Sequence, residues 1–369
     1  MDIFRSLKQY SHEEVIFAYD PDAGLKAIIA IHNTSLGPAL GGTRMLPYKS
    51  EADALKDVLK LSRGMTYKAS LAGLNLGGGK AVIIGDPEKD KNEILFRAFG
   101  RVVEGLHGRY ITAEDSGTSL SDMEWVRSET RYVTGILETH GGSGDPSPVT
   151  AHGVYFGLKA CAEEAFGRNS LKDIKVAIQG AGNVGMALAG ILHTAGARLI
   201  VSDSNEGRVR EAVERFGAEA VSPEAVYSAE ADIFAPCALG AVINDETIER
   251  FRFKVIAGAA NNQLADETRH GRMLMDKGIL YAPDYAINAG GLINVENEIE
   301  GYNREHALRQ AEGIYKVIKD IIGLSRAKNI PTNAASDHIA EKRIEDVNRL
   351  RRRFKTTPPL MFQTGRMFK

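Results

Sequence analysis

Apolar side chains recur along this chain with two different periods. Over 51–68, Ala54, Leu55, Val58, Leu59, Leu61 and Met65 follow the helical repeat and predict a helix. Short apolar runs bounded by turn residues predict strands at 14–17 and 26–31, on either side of Asp20-Pro21-Asp22-Ala23-Gly24. Further strands are predicted at 81–84 and at Tyr110-Ile111-Thr112, with a helix over 91–106 between them. The second half repeats the alternation. A helix is predicted over about 150–166, a strand at 175–179, an Ala-rich helix at 183–195 and strands at 198–202, 232–235, 254–258 and 279–281. Two long helical patterns, 303–327 and 333–353, close the chain, and Pro331 separates them because proline cannot continue a helix. Strand and helix alternate throughout, so the fold class is α/β.

The run 141–149, Gly-Gly-Ser-Gly-Asp-Pro-Ser-Pro-Val, is rich in turn residues and is expected to link two domains. The expected division is 1–140 plus 330–369 as one domain and 141–329 as the other, with the last helix packing back on the first. The chain has 369 residues, a length that suits two domains. With 43% hydrophobic and 25% charged residues it reads as an ordinary globular protein, and a net charge of -2 gives no field that would draw nucleic acid or an anionic membrane. The basic run Arg351-Arg352-Arg353 is local and is expected to be a solvated helix end or subunit contact. Cys161 and Cys237 form no CxxC pair, so neither a disulfide framework nor a metal site is expected. The start, Met1-Asp2-Ile3-Phe4-Arg5-Ser6, lacks the apolar stretch of a signal peptide, and no run approaches the ~20 apolar residues that span a bilayer. A cytoplasmic location is expected.

Two segments carry candidate chemistry. Gly180-Ala181-Gly182-Asn183-Val184-Gly185 follows a predicted strand and opens a predicted helix, the context in which such glycines let a backbone turn and approach a pyrophosphate. The next strand ends in Asp203, where a carboxylate would accept hydrogen bonds from a ribose and repel an extra phosphate, which favours NAD over NADP. The second segment is Gly77-Gly78-Gly79-Lys80, which sets a lysine at the mouth of a buried strand behind a backbone expected to leave room for a substrate. Leu61, Met65 and Lys68 fall on one helical face, and Asp115 follows a strand end. Two lysines and an aspartate suit a substrate that is both carboxylate and amine. One lysine anchors the carboxylate; the other, desolvated beside a like charge, has a lowered pKa and acts as a base, and the aspartate relays protons. A lone lysine is ordinarily solvated, and the glycine setting is what separates Lys80 from that reading. Cys237 reads as a small buried residue rather than a nucleophile.

With these motifs on the page, the chain resembles the Glu/Leu/Phe/Val amino acid dehydrogenases, and within them most closely those that act on leucine. The resemblance rests on 37–44 (Gly-Pro-Ala-Leu-Gly-Gly-Thr-Arg), 61–68 (Leu-Ser-Arg-Gly-Met-Thr-Tyr-Lys), 77–80, 112–117 (Thr-Ala-Glu-Asp-Ser-Gly), 146–151, 180–185, 234–240, 258–263 and 282–291, and runs nearly end to end. It implies an N-terminal α/β substrate-binding and oligomerisation domain and a Rossmann NAD-binding domain with a cleft between them. It implies NAD-dependent, reversible oxidative deamination of an L-amino acid to a 2-oxo acid and ammonia, and a homo-oligomer such as an octamer. Under the resemblance Lys68 binds the substrate carboxylate, Lys80 is the general base, Asp115 is its proton-transfer partner, Gly41 and Gly42 lie beside the substrate and Asn288 adds a polar contact. Thr150, Gly180, Gly182, Asn183, Val184, Gly185, Asp203, Ala238 and Asn261 fall at cofactor positions.

The resemblance also lines the side-chain pocket with Leu40, Met65, Ala113, Thr134, Leu292 and Val295. Apolar residues at 40 and 295 leave a γ-carboxylate unpaired, so glutamate is expected to be rejected, and leucine, valine and isoleucine to be accepted together. Leu292 stands where valine is expected in leucine enzymes, which keeps phenylalanine, tryptophan or valine specificity as alternatives. A catalytically silent NAD-binding protein would be expected to lack one of the lysines. A hydroxy-acid enzyme would need a catalytic histidine or metal carboxylates, and no such cluster appears.

Overall fold

The computed structural model describes residues 3–238 and 240–354. Of the basic run, the side chains of Arg351 and Arg352 lie outside the described residues, as does Leu239 of the 234–240 motif. The chain divides into two compact units. Among the described residues, one comprises 3–145, Val295–Arg304 and 340–354; the other comprises Pro146–Asn294 and Glu305–Ile339. Each contains a six-stranded sheet. Among the described residues no helix is long and apolar enough to cross a membrane.

In the first unit β1 (Glu14–Asp20) and β2 (Leu25–Asn33) form a hairpin around the expected turn. β3 (Ala39–Leu40), β4 (Thr43–Leu46), β5 (Gly77–Ile84) and β6 (Tyr110–Ile111) complete the sheet, in the order β1-β2-β5-β3-β6 with β4 also on β5. β2 buries residues on both of its faces. Ile29 and Ile31 join Phe96, Phe99, Tyr110 and Met123 on one side, while Ile28 and Ala30 join Val58, Leu59 and Val82 on the other. Continuous apolar strands of this kind require helices on both sides.

The helix Glu51–Leu71 supplies one of those layers. Ser50 caps it by accepting a hydrogen bond from the Asp53 amide at 3.1 Å, which satisfies one of the free N–H groups of the first turn. Ala54, Leu55, Val58 and Leu59 bury its first half as the periodicity predicts. Further along, the buried positions are Ser62, Thr66, Tyr67, Ala69, Ser70 and Leu71, and Leu61, Met65 and Lys68 flank them half-buried. The small hydroxyl residues let the helix settle closely onto β5. The last helix, Thr332–Phe354, meets the end of this one within the first unit: Arg343 donates to the carbonyls of Ser70, Gly73 and Leu74, and Tyr67 donates to Glu341 at 2.6 Å.

The second unit holds β7 (Lys175–Gln179), β8 (Arg198–Ser202), β9 (Glu219–Ala220), β10 (Ile233–Pro236), β11 (Val255–Ile256) and β12 (Leu280–Tyr281). They run parallel in the order β12-β11-β10-β7-β8-β9. This is a Rossmann sheet, and its order reverses between β7 and β10, the point at which such sheets bind ligands.

One expectation needs correction and another gains detail. The pattern at 303–327 is two helices, Arg304–Glu312 and Ile314–Lys328, because Gly313 bonds back three residues to Gln310 instead of four. The Gly/Pro/Ser-rich run carries the boundary of the two units, at Asp145–Pro146, as expected, but it is packed and bonded. Gly142, Ser143 and Gly144 are buried, Gly142 and Gly144 donate to Leu137 and Ile136, and a helix begins at Ser147.

Candidate active site

In the first unit Lys80 stands on β5 between β2 and β4, only 6% exposed. Its ammonium is paired with the Asp115 carboxylate. Asp115 also accepts from Arg44 Nε at 3.3 Å, and Arg44 reaches on to Asp57 at 3.0 Å, where Tyr48 donates its hydroxyl at 2.6 Å. The backbone N–H of Asp115 donates to Thr118 Oγ1 at 2.9 Å, and Thr118 in turn donates to the Thr43 carbonyl, which fixes the loop. Burial pushes the Asp115 carboxyl up, but the Lys80 ammonium and then the Arg44 guanidinium outweigh it and hold the group well below the usual carboxylate range. Burial likewise opposes the charge on Arg44, and Asp115 and Asp57 more than restore it.

Sequence reasoning missed Arg44, Asp57 and Tyr48. Alternation along β4 buries Thr43 and Met45 and leaves Arg44 and Leu46 half-buried, a signal too short to read over four residues. Glu114 was missed as well. Burial, then the charges of Asp145, Asp115, Asp122 and Glu298, push its carboxyl up to about 7.

The glycines serve packing. A side chain on Gly78 would run into the Thr66 backbone, and one on Gly79 would stand 2.7 Å from the Tyr110 ring. Their bareness lets the helix Glu51–Leu71 and Tyr110 close on the strand that carries Lys80, rather than leaving room for a substrate. The same closeness gathers the candidate residues. A Cβ on Gly41 would press on the Gly79 carbonyl and lie 3.3 Å from Met65, and one on Gly42 would lie 3.0 Å from the Asp115 Cβ. Leu40, Ala113, Thr134 and Val295 are buried in this unit, and Lys68 is half-buried in the last turn of its helix. The Thr134 amide donates to Thr112 at 2.8 Å.

In the second unit the glycine loop joins β7 to the helix Asn183–Thr194. Gly180 takes φ +99°, in the region that favours glycine, and would otherwise strike Ala238 at the end of β10. Gly185 packs on the Gly180 carbonyl, whereas a Cβ on Gly182 would meet no atom within 4 Å. Turn, open approach and close helix packing are the three tasks of a dinucleotide loop. Among the described residues no side chain caps this helix, so its first N–H groups, including those of Asn183 and Val184, suit a phosphate. Asp203 accepts from the Ala181 amide at 2.7 Å and the Asn205 amide at 2.8 Å, which holds its carboxylate beside the loop. Asn288 donates to Asn261 at 2.7 Å and to the Ala259 carbonyl at 3.0 Å, leaving its buried Oδ1 without a partner. Thr150 donates to Pro146 at 2.9 Å, and Gly290 and Gly291 lie against it. Leu292 is buried in the same unit. Burial pushes the Cys237 thiol up to about 11, which keeps it protonated. An open glycine cradle, a free helix N-terminus and an orphaned amide oxygen fit a dinucleotide.

Residues 12–132 match the family described as Glu/Leu/Phe/Val dehydrogenase, dimerisation domain, and 141–212 with 202–344 match Glutamate/Leucine/Phenylalanine/Valine dehydrogenase. The chain is 58% identical over 354 residues to a leucine dehydrogenase of Bacillus subtilis, covering 96% of this chain and 97% of that one. It is 57% identical to a leucine dehydrogenase of Thermoactinomyces intermedius, covering 96% of each. The crystal structure of L-tryptophan dehydrogenase from Nostoc punctiforme superposes with a TM-score of 0.83 at 46% identity, covering 94% of this chain and 99% of that one.

Proposed function

The chain belongs to the Glu/Leu/Phe/Val dehydrogenase family, and from that premise we propose that it catalyses the reversible, NAD-dependent oxidative deamination of branched-chain L-amino acids. The observation that carries the reading is the buried Lys80–Asp115 pair held by Arg44, on a chain whose relatives at 57–58% identity are leucine dehydrogenases.

Lys68 holds the substrate carboxylate by charge. Bound NAD supplies a hydride acceptor for the substrate Cα–H. It is held by the 180–185 loop and by Asp203, with Thr150, Ala238 and Asn261 as further contacts. Lys80, acting as the free amine, takes a proton from water as the oxygen attacks the imino carbon. Ionised Asp115 accepts that proton from Lys80 and relays it to the departing nitrogen, so that water and the imino acid leave as 2-oxo acid and ammonia. Gly41 and Gly42 bring their backbone close against this centre, and Asn288 Oδ1 remains free to accept a hydrogen bond. These roles rest on position in the chain and on the geometry of each unit. The chemistry needs positioning more than an activated group, since a well-aligned bound reactant gains on the order of 10⁵ M or more in effective concentration.

In the first unit, Leu40, Met65, Ala113, Thr134 and Val295 form the aliphatic wall. Leu40 is 1% and Val295 8% exposed, so a γ-carboxylate there would be buried without a partner at a cost of several kcal/mol. Aliphatic side chains differing by one methylene are separated by only ~1–3 kcal/mol, so leucine, isoleucine and valine are all turned over. The proposal includes a cytoplasmic homo-oligomer, consistent with the family description of residues 12–132 as a dimerisation domain. The test is NADH formation across L-leucine, isoleucine, valine, phenylalanine, tryptophan and glutamate. The branched-chain set is expected to lead and glutamate to be inert; a lead for phenylalanine or tryptophan would keep the reaction and overturn the pocket.

A further inference from the structure

Glu298 is a carboxylate buried to 4% exposure, and among the described residues no cation pairs with it. Its partners are all neutral donors. The Gly135 amide lies 3.0 Å from each oxygen, the Ser143 amide donates at 2.8 Å, and the Ser143 hydroxyl donates to the same oxygen. Burial pushes its carboxyl up, and these bonds only partly offset that. A buried charge is costly unless its bonds achieve something the apolar alternative would not.

What these bonds join is three separate stretches of the first unit. Gly135, at φ +67°, follows Thr134, and a Cβ there would lie 3.7 Å from that of Ala113. Ser143 belongs to the buried run at 142–144. The Glu298 amide itself donates to the Val295 carbonyl at 3.3 Å. Thr134, Ala113 and Val295 are three of the residues placed along the side-chain pocket. The carboxylate therefore fixes the spacing between the 134–135 segment and the 295–298 segment.

We propose that Glu298 is a positioning residue that sets the width of the substrate side-chain pocket by holding Thr134 and Val295 at a fixed distance. It touches no reacting atom, and its effect is on which side chain is accepted. This inference rests on the functional reading above.

The experiment measures kcat/KM for L-leucine, L-valine and L-phenylalanine in the parent, Glu298→Gln and Ser143→Ala. An amide at 298 turns one end from acceptor to donor and faces two N–H groups; alanine at 143 removes a single donor and leaves the carboxylate. Glu298→Gln is expected to lower the leucine-to-phenylalanine ratio by about tenfold, the scale of one misplaced methylene, mainly through KM for leucine. KM for NAD should stay at the parent value, and Ser143→Ala should move the ratio in the same direction by about threefold. A merely structural role would lower kcat for all three substrates in proportion, and that result, or unchanged ratios, overturns the inference. Should Glu298→Gln fail to fold, the ratio in Ser143→Ala decides. A parent that turns over no amino acid overturns the functional reading and this inference with it, whereas an active parent with unaltered variants overturns this inference alone.

Discussion

Asp115 is the residue on which the candidate site turns, because two cations share it. Lys80 and Arg44 both bind the same carboxylate oxygen, and the resulting low proton affinity keeps Asp115 ionised across the neutral range. Asp115→Asn is therefore expected to leave the buried Lys80 ammonium without its anion and to strip half-buried Arg44 of one of its two, with kcat lowered by about 10³-fold or more and with a loss of stability on the order of 3 kcal/mol, read by steady-state kinetics and thermal melting. Asp203→Ser removes the carboxylate that opposes a ribose phosphate and should raise the NADP-to-NAD ratio of kcat/KM by at least about tenfold; an unchanged ratio would remove Asp203 from the cofactor site. At this scale much was legible. Lys68, Lys80, Asp115 and the three nucleotide glycines carry type and spacing that a sequence displays. Arg44, Asp57, Tyr48 and Glu298 do not, since their importance comes from partners remote in the chain. The like charge that the sequence suggested beside Lys80 is present as Arg44, with the Asp115 carboxylate shared between the two.

Among the elements, β5 and the helix Glu51–Leu71 decide the geometry. Gly78→Ala should push the helix off the strand at Thr66, displacing Met65 and Lys68, and destabilise by roughly 2–4 kcal/mol in denaturant unfolding; a variant as stable as the parent would refute the packing role of the glycines. The same interface carries an acid-sensitive pair. His32 Nδ1 bonds Thr66 Oγ1 at 2.7 Å and His12 Nε2 bonds Ser62 Oγ at 2.8 Å, with the rings 4.8 Å apart. Burial lowers His12 to about 4 and, with the neighbouring His12 charge, His32 to about 3. The unfolded chain binds these protons near pH 6.5 and the folded chain does not, so stability is complete above that pH and is lost as pH falls through the folded values. After allowance for partial exposure this amounts to roughly 2–4 kcal/mol by pH 4. A Tm that stays flat from pH 7 to pH 4 would contradict it. Long periodic elements were readable from the sequence because they bury continuous faces. β3 and β4 were not, because two and four residues carry no measurable period; β3 is held by β5 and β6, and β4 by β5 and the 113–116 loop.

For the molecule as a whole, each unit has its own sheet and its own core, and each carries part of the proposed chemistry. The first presents the lysines and the acid, and the second presents the glycine loop and Asp203. The alternating pattern foretold the α/β class and the fingerprint foretold the Rossmann unit. The buried course of 142–144 escaped notice because its turn-rich composition looks the same whether the segment is solvated or tied to a buried carboxylate such as Glu298. The homo-oligomer proposed above should elute in light scattering at a multiple of the 40.1 kDa chain, and a monomer would contradict it. The central claim is that the Lys80–Asp115 pair deaminates an amino acid. Its most direct test is the appearance of NADH and free ammonia together, from L-leucine and NAD, in the parent and in Lys80→Ala matched for fold and NAD binding. The account predicts equal amounts of the two products from the parent and a rate at least about 10³-fold lower from the variant. Equal rates in the two proteins, or NADH without ammonia, would contradict it.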